Sequence, residues 1–168
     1  MIYIMKDIES CLHVTVKTEE ELTNEELMLV NSAKEASRRS YAPYSEFHVG
    51  ASVLLDDGTV VQGSNQENCA FPSGMCAERT AIFYANSQYP NRSIKSLCIA
   101  AHDEDGNFTR LPVTPCGGCR QVMLESEKRS DGNMRIIMYG TEFVYIVESA
   151  SSLLPLQFGD DEGLIANR

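Results

Sequence analysis

The chain has 168 residues, of which 43% are hydrophobic, and a formal net charge of -10. This length suffices for one domain with a buried core and is short for two. The net negative charge and the lack of a Lys/Arg cluster disfavour a nucleic-acid partner. No stretch of the sequence approaches the ~20 apolar residues that a membrane span needs.

Helices and strands alternate along the predicted chain. A capping box formed by Thr23 and Glu26 opens a first helix that runs to about Arg39, and Leu29 and Ala33 lie on its apolar face. The pattern then predicts, in order, strands at 47–55 and 59–62 joined by a tight turn, a helix opened by Cys76, a strand at 97–101, a helix at Cys116, strands at 135–139 and 143–147, and a short helix near Ser151 that ends at Pro155. This alternation indicates an α/β layered domain.

Three cysteines have a spacing that suits a metal. Cys116 and Cys119 are three residues apart, so both sulfurs face the same way on one helical turn. Thr114 suits the N-cap of that turn, with Pro115 at the first helical position. Cys76 opens another helix, and sulfurs near helix N-termini are favoured as thiolates. A zinc ion held by three thiolates keeps a fourth position open for water.

Glu78 follows Cys76 by two residues. A carboxylate at this position indicates a catalytic zinc site. Zinc lowers the pKa of a bound water to about 7, and a carboxylate that is not itself a ligand can carry its proton to a substrate nitrogen. Taken alone, Cys116-Gly-Gly-Cys119 would also suit a redox dithiol or half of a structural zinc clip. The combination with Cys76 and Glu78 matches the signature of the zinc deaminases.

Five sequence blocks together make the chain resemble the small homotetrameric cytidine deaminases, over about residues 22–158. The blocks are Tyr41 to Ala51, Gly63 to Asn68, Cys76 to Ala81, Pro115 to Gln121 and Leu153 to Gly159. The resemblance implies a three-layer α/β/α sandwich around a five-stranded mixed sheet. It divides the chain into an N-terminal extension (1–21), a deaminase domain (22–158) and a C-terminal tail (159–168), and both termini are expected to be poorly tethered.

The resemblance also implies roles for side chains around the metal. It assigns Asn65 and Glu67 to the ribose hydroxyls, Phe47 to the face of the pyrimidine, and the backbone near Ala77 to the base. It assigns Arg79 to the ligand sulfurs, where its hydrogen bonds would offset the excess negative charge of three thiolates.

The resemblance implies a homotetramer with shared active sites and one zinc per subunit. Phe71 and Phe158 are expected to line the pockets of neighbouring subunits. Cys69 stands where the family usually has a small apolar residue, which is a departure in the lining of the pocket.

The remaining cysteines and the histidines bear on compartment and ligand choice. The N-terminus lacks a signal-peptide pattern, so a reducing cytoplasm with Cys11, Cys69 and Cys98 as free thiols is expected. None of the three histidines has ligand spacing to the cysteines. We expect His48 in a strand and place the other two, His13 and His102, toward solvent.

The expected activity is zinc-dependent hydrolytic deamination of cytidine and 2′-deoxycytidine to the uridines, with release of ammonia, in pyrimidine salvage. One alternative is another zinc deaminase, such as a blasticidin, nucleotide or guanine deaminase. The expected ribose pair Asn65 and Glu67 favours a nucleoside. A second alternative is a zinc-stabilised binding module without catalysis, which would not need Glu78 beside its metal.

Overall fold

The computed structural model describes residues 10–130 and 132–159, and these form a mixed sheet with helices on both faces. The elements are β1 (Thr15–Lys17), α1 (Asn24–Ser37), β2 (His48–Leu55), β3 (Val60–Ser64), α2 (Ala77–Gln88), β4 (Ile94–His102), α3 (Gly117–Lys128), β5 (Arg135–Tyr139) and β6 (Val144–Val147), with 3₁₀ turns at Glu19–Glu21, Phe71–Ser73 and Ala150–Leu153. Among these described residues, no helix is both long and apolar enough to cross a bilayer.

The sheet has the strand order β1-β6-β5-β4-β2-β3. Strands β4 and β5 pair in parallel, with Leu97 opposite Ile136, and all the other neighbouring pairs are antiparallel. Helix α3 lies in the connection between β4 and β5, as a parallel pair requires a crossover. The sheet is therefore mixed, as predicted.

Alternate side chains of the strands divide the core into two layers. Leu97 and Ile99 pack with α2 and α3 on one face, whereas Cys98 and Ala100 pack with α1 on the other. This period of two follows from the pleat of a strand. The predicted apolar face of α1 is buried, including Leu29, which is fully covered. The three-layer α/β/α sandwich is thus confirmed.

The prediction of five strands was one short. The additional strand, β1, lies inside the predicted N-terminal extension and pairs with the edge strand β6, with Val16 opposite Tyr145. The Lys17 ammonium contacts the buried Glu26 carboxylate of α1 at 3.1 Å. Residues 15–17 are therefore tethered to the sheet, contrary to the expected loose terminus. Residues 1–9 and 160–168 of the predicted termini lie outside the described residues.

The predicted start of α3 was also wrong. Thr114 and Pro115 were expected as its N-cap and first residue, but the N-cap is Cys116 and the helix proper begins at Gly117. The Cys116 side chain makes no capping hydrogen bond. A sulfur that does not cap the helix is available to a metal, and Cys116 holds its sulfur at the N-terminus of α3.

A close approach of two backbones fixes α2 against the sheet. A Cβ atom on Gly63 in β3 would lie 2.4 Å from the Ala81 nitrogen and 2.7 Å from the Ala77 carbonyl oxygen. Steric repulsion excludes carbon contacts as short as these, so only glycine fits at this position. The absence of a side chain on Gly63 therefore sets the depth at which the first two turns of α2 sit.

Candidate metal centre and adjoining pocket

Two helix N-termini bring the three predicted sulfur ligands together. Cys76 is the N-cap of α2, Cys116 is the N-cap of α3, and Cys119 lies in the first turn of α3. Their Sγ atoms all lie within 4.8 Å of one another, and those of Cys76 and Cys116 are 3.9 Å apart. Tetrahedral ligation with Zn–S bonds of about 2.3 Å requires sulfurs about 3.8 Å apart. The donor set and its spacing therefore fit zinc.

The pKa values of Cys76 and Cys119 are shifted in opposite directions. A hydrogen bond from Cys119 lowers the pKa of Cys76; burial opposes this shift, and the Arg79 guanidinium adds to it. The same hydrogen bond to Cys76, together with burial, raises the pKa of Cys119. Cys76 thus carries negative charge more readily than Cys119, and a cation at this point would favour all three sulfurs as thiolates.

Glu78 lies in the first turn of α2 and is almost completely buried, with 5% of its surface exposed. Burial raises the pKa of its carboxyl, its own backbone N–H partly offsets the rise, and negative charge on Cys76 adds to it. A carboxyl in this environment binds a proton more readily than one in water. That property suits a group that accepts and returns a proton during a reaction.

Arg79 lies against the sulfurs. Its Nη2 atom donates to Cys76 Sγ at 3.4 Å. Its Nε atom is buried and has no hydrogen-bond partner within residues 10–130 and 132–159. The structure therefore places the guanidinium beside the Cys76 sulfur, and its role in offsetting the charge of three thiolates stays a prediction.

A cavity of about 340 Å³ adjoins the sulfurs and contains several of the predicted binding residues. Its walls include Tyr44, Asn65, Glu67, Phe71, Cys76 and Arg79. This space is of the size that small-molecule sites have in proteins. The structure thus brings the expected ribose pair and Phe71 to the same pocket as the metal ligand Cys76.

Three other predicted binding residues are not among those that line this cavity. Ala77 is fully buried at the start of α2. Phe47 precedes β2 with 37% of its surface exposed, and Phe158 in the C-terminal segment is 73% exposed. The carbonyl oxygen of Phe158 accepts a hydrogen bond from the Gln121 side chain at 3.0 Å, which attaches that segment to α3.

Asn65 and Glu67, two polar residues of the cavity wall, also hydrogen-bond to the segment that leads into β2 and to the start of that strand. The Asn65 amide donates to the Phe47 carbonyl oxygen at 2.9 Å and accepts from the Val49 N–H at 2.8 Å. The Glu67 carboxylate accepts from the backbone N–H groups of Tyr44 at 2.9 Å and Ser45 at 3.3 Å.

The Ser45 hydroxyl makes a further, short hydrogen bond to the Glu67 carboxylate. This hydroxyl and the Tyr44 N–H hold the pKa of Glu67 below its usual range. Ser45 was not among the predicted site residues. Its position two residues before Phe47, in one of the quoted blocks, was the available signal.

The histidines do not contribute to the metal centre. His48 lies in β2, as predicted, and stacks on His102 of β4 with ring centroids 4.9 Å apart. His102 is only 9% exposed, so its predicted solvent-facing position was wrong. His13 is exposed, as expected.

Three thiolates with an adjacent buried carboxylate, at the N-termini of two helices in an α/β/α sandwich, define a zinc site of the deaminase class. A family model described as the cytidine and deoxycytidylate deaminase zinc-binding region matches residues 23–130. The chain belongs to this family, and zinc is the metal of its site.

Individual relatives agree with this assignment. The chain is 39% identical to a cytidine deaminase of Sporosarcina psychrophila over 134 residues, which are 80% of this chain and 91% of the relative. It is 44% identical to a cytidine deaminase of Halalkalibacterium halodurans over 98 residues, which are 58% of this chain and 69% of the relative.

Solved structures show the same fold. The crystal structure of a Burkholderia pseudomallei cytidine deaminase superposes with a TM-score of 0.68 at 33% identity, over 82% of this chain and 100% of the other. A Mycobacterium tuberculosis cytidine deaminase gives a TM-score of 0.61 at 34% identity, over 79% of this chain and 96% of the other.

Proposed function

We propose that this chain deaminates cytidine and 2′-deoxycytidine hydrolytically to uridine and 2′-deoxyuridine, with release of ammonia, in pyrimidine salvage. The observation that carries this proposal is that Glu78 is buried in the first turn of α2, the helix whose N-cap is the ligand Cys76. A structural zinc clip has no use for an unligated buried carboxyl at this point. The relatives named above are cytidine deaminases, which supports the choice of substrate.

Glu78 is the proposed proton carrier. Cys76, Cys116 and Cys119 would hold a zinc ion, which supplies a Lewis acid that activates water at neutral pH. Glu78 accepts the proton of the attacking water and donates it to N3 of the cytosine ring as C4 is attacked. It then carries a second proton to the departing amino group.

The pocket offers complementary groups for a nucleoside. Asn65 and Glu67 line the cavity beside Cys76 and are the proposed partners of the ribose hydroxyls. Phe47 is proposed to lie against the pyrimidine, and the backbone near Ala77 to contact the base. A hydroxyl can donate to a carboxylate and accept from an amide N–H, so this pair suits a sugar.

We also propose a homotetramer in which subunits share their active sites. Phe71, which is 76% exposed, lies in the cavity wall and contacts the Tyr44 ring at 6.0 Å between centroids. Phe158 is exposed on the segment attached to α3. Exposed apolar surface, such as these two rings present, is typical of interaction sites. One zinc per subunit is proposed.

The cytoplasm is the proposed compartment. All six cysteines are free thiols in the structure, including Cys11 and Cys69 at the surface. Exposed unpaired thiols suit a reducing environment better than an oxidising one.

A parallel ultraviolet assay tests the activity. Purified protein is supplied with cytidine, 2′-deoxycytidine, cytosine and deoxycytidine monophosphate, with Glu78→Gln as the control for contaminating activity. Turnover of the two nucleosides, with little on the free base and the monophosphate, supports the proposal. Preferred turnover of the monophosphate would identify a nucleotide deaminase. No turnover of any of the four by zinc-loaded protein would refute cytidine deamination.

A further inference from the structure

We infer that Ser45 is a positioning residue for nucleoside binding, because its hydroxyl aligns the Glu67 carboxylate and the Phe47 backbone at the same time. This inference rests on the proposed function, in which Glu67 accepts a hydrogen bond from the sugar. Ser45 is not among the residues that line the cavity, so its effect on the substrate is exerted through its neighbours.

The Ser45 hydroxyl connects two parts of the pocket. It donates to Oε1 of Glu67, and it accepts from the Phe47 N–H at 3.2 Å. A hydroxyl has one proton and two lone pairs, so both bonds can form together. Glu67 belongs to the segment after β3, whereas Phe47 immediately precedes β2. Ser45 therefore links the proposed sugar-binding carboxylate to the backbone of Phe47, whose ring is proposed to lie against the base.

The acceptor capacity of Glu67 shows why this link affects the ligand. A carboxylate offers about four lone-pair positions on two oxygens. On Glu67, Oε2 accepts from the N–H groups of Tyr44 and Ser45, and Oε1 accepts from the Ser45 hydroxyl. One lone pair of Oε1 remains for a sugar hydroxyl. The oxygen that has room for the substrate is thus the one that Ser45 orients.

The backbone next to Ser45 adopts a conformation that needs stabilising contacts. Glu46 has a φ of 55°, in the left-handed region that is costly for a residue other than glycine. Its N–H donates to the Ala42 carbonyl oxygen at 3.0 Å, which closes a tight turn. The hydrogen bonds of Ser45 and Glu67 stabilise this turn and so set the position from which Phe47 enters β2.

The test compares Ser45→Thr with Ser45→Val, two side chains of similar shape that differ in the hydroxyl. We expect Ser45→Val to raise the KM for cytidine by about three- to tenfold, with kcat changed by less than about twofold, since charge-assisted hydrogen bonds are lost. Ser45→Thr should keep most of the affinity. Ser87→Val makes the same change on the exposed face of α2 and is the control for general effects of the substitution.

Two further measurements separate positioning from a structural effect. For 2′,3′-dideoxycytidine, which lacks the 2′ and 3′ hydroxyls of the sugar and keeps the 5′ hydroxyl, the ratio of kcat/KM between the Thr and Val variants should be smaller than for cytidine. In a Glu67→Gln background, Ser45→Val should have a much smaller effect, because coupled residues are not additive. Zinc content and thermal unfolding establish that each variant is folded.

Equal KM values for the Thr and Val variants would overturn the inference, as would an equal loss with the dideoxy analogue. If Ser45→Val does not fold, Ser45→Ala carries the same comparison with Ser45→Thr. If the unmodified chain fails to deaminate cytidine at all, the proposed function is refuted at that step, before any variant is compared.

Discussion

The Arg79 guanidinium donates to the Cys76 sulfur at 3.4 Å, one helical turn after the cysteine caps α2. One short stretch of helix therefore provides a metal ligand, its charge compensation and, between them, the buried Glu78 carboxyl. Three thiolates leave a zinc site with a net negative charge, which weakens a Lewis acid. The guanidinium offsets that excess without occupying a coordination position.

Replacing Arg79 with Gln should lower kcat by about 10- to 100-fold, the usual cost of losing a partner of a metal ligand. Arg79→Lys retains the charge but not the planar donor array, and an intermediate kcat is expected. The measurement is steady-state turnover together with zinc content per subunit. Unaltered kcat and zinc content in Arg79→Gln would show that the sulfurs need no compensating charge.

The Glu26 carboxylate connects three elements and should contribute to stability in a pH-dependent way. It is 1% exposed and contacts Lys17 of β1 at 3.1 Å and Arg135 of β5 at 2.8 Å. Burial alone would raise the pKa of Glu26, but the Thr23 N–H and the two cations lower it further than burial raises it. We expect Glu26→Gln to reduce the free energy of unfolding by about 2–3 kcal/mol at pH 7.

The direction of the pH dependence of this stabilisation follows from the linkage between proton binding and folding. Because the pKa of Glu26 is lower in the folded chain, its stabilising effect is present above the unfolded value of about 4.3 and is lost as pH falls through the folded value. Urea unfolding at several pH values should show the difference between Glu26→Gln and wild type shrinking below about pH 4. Glu25→Gln, at the exposed neighbouring position, is the control. A difference that does not change with pH would contradict this account.

A methyl group at Gly63 should displace the helix that carries the chemistry. Its Cβ would meet the Ala81 nitrogen at 2.4 Å, so α2 must move away from β3. We expect Gly63→Ala to destabilise the fold by about 2 kcal/mol or more and to lower kcat, since Glu78 moves with the helix.

The matched control is Gly118→Ala, where a Cβ has no atom within 4 Å. That change should stabilise α3 by roughly 0.5–1 kcal/mol, because alanine is the better helix former. Thermal unfolding of the two variants provides the comparison. A Gly63→Ala protein as stable and as active as wild type would mean that α2 can shift at little cost.

Removing one sulfur should remove the metal. Cys116→Ala deletes one of three ligands whose Sγ atoms lie within 4.8 Å of one another, and two thiolates hold zinc far less tightly. Zinc analysis after dialysis should find much less metal than in wild type, and turnover should fall with it. Cys69→Ala, which changes an exposed free thiol, should keep its zinc. Full zinc occupancy and activity in Cys116→Ala would disprove the ligand set.

The sequence was sufficient to predict which three sulfurs meet, because local spacing on two helices determines where they lie. Cys76, Cys116 and Cys119 meet as predicted, and Glu78 and Arg79 lie beside them. In these segments the features that matter are local in sequence: the start of a helix, the spacing of the cysteines, and an arginine close to a cysteine.

The features that the sequence did not reveal depend on distant contacts. β1 has only three residues, and it is held by pairing with β6 and by the Lys17 contact with Glu26. His102 is buried because it stacks on a histidine of another strand. Ser45 acquires its partner only when the segment after β3 folds back. For β1 and His102, no local pattern in a single sequence carries this information.

Glu78→Gln tests the central proposal most directly, because it alters the proton carrier and keeps all three sulfur ligands. Cytidine turnover and zinc content are measured on the same preparation, with Glu125→Gln on the exposed face of α3 as the control. We expect zinc at the wild-type level and kcat reduced at least ~10²–10⁴-fold, the usual contribution of general acid–base catalysis. Wild-type turnover by zinc-loaded Glu78→Gln protein would contradict the account.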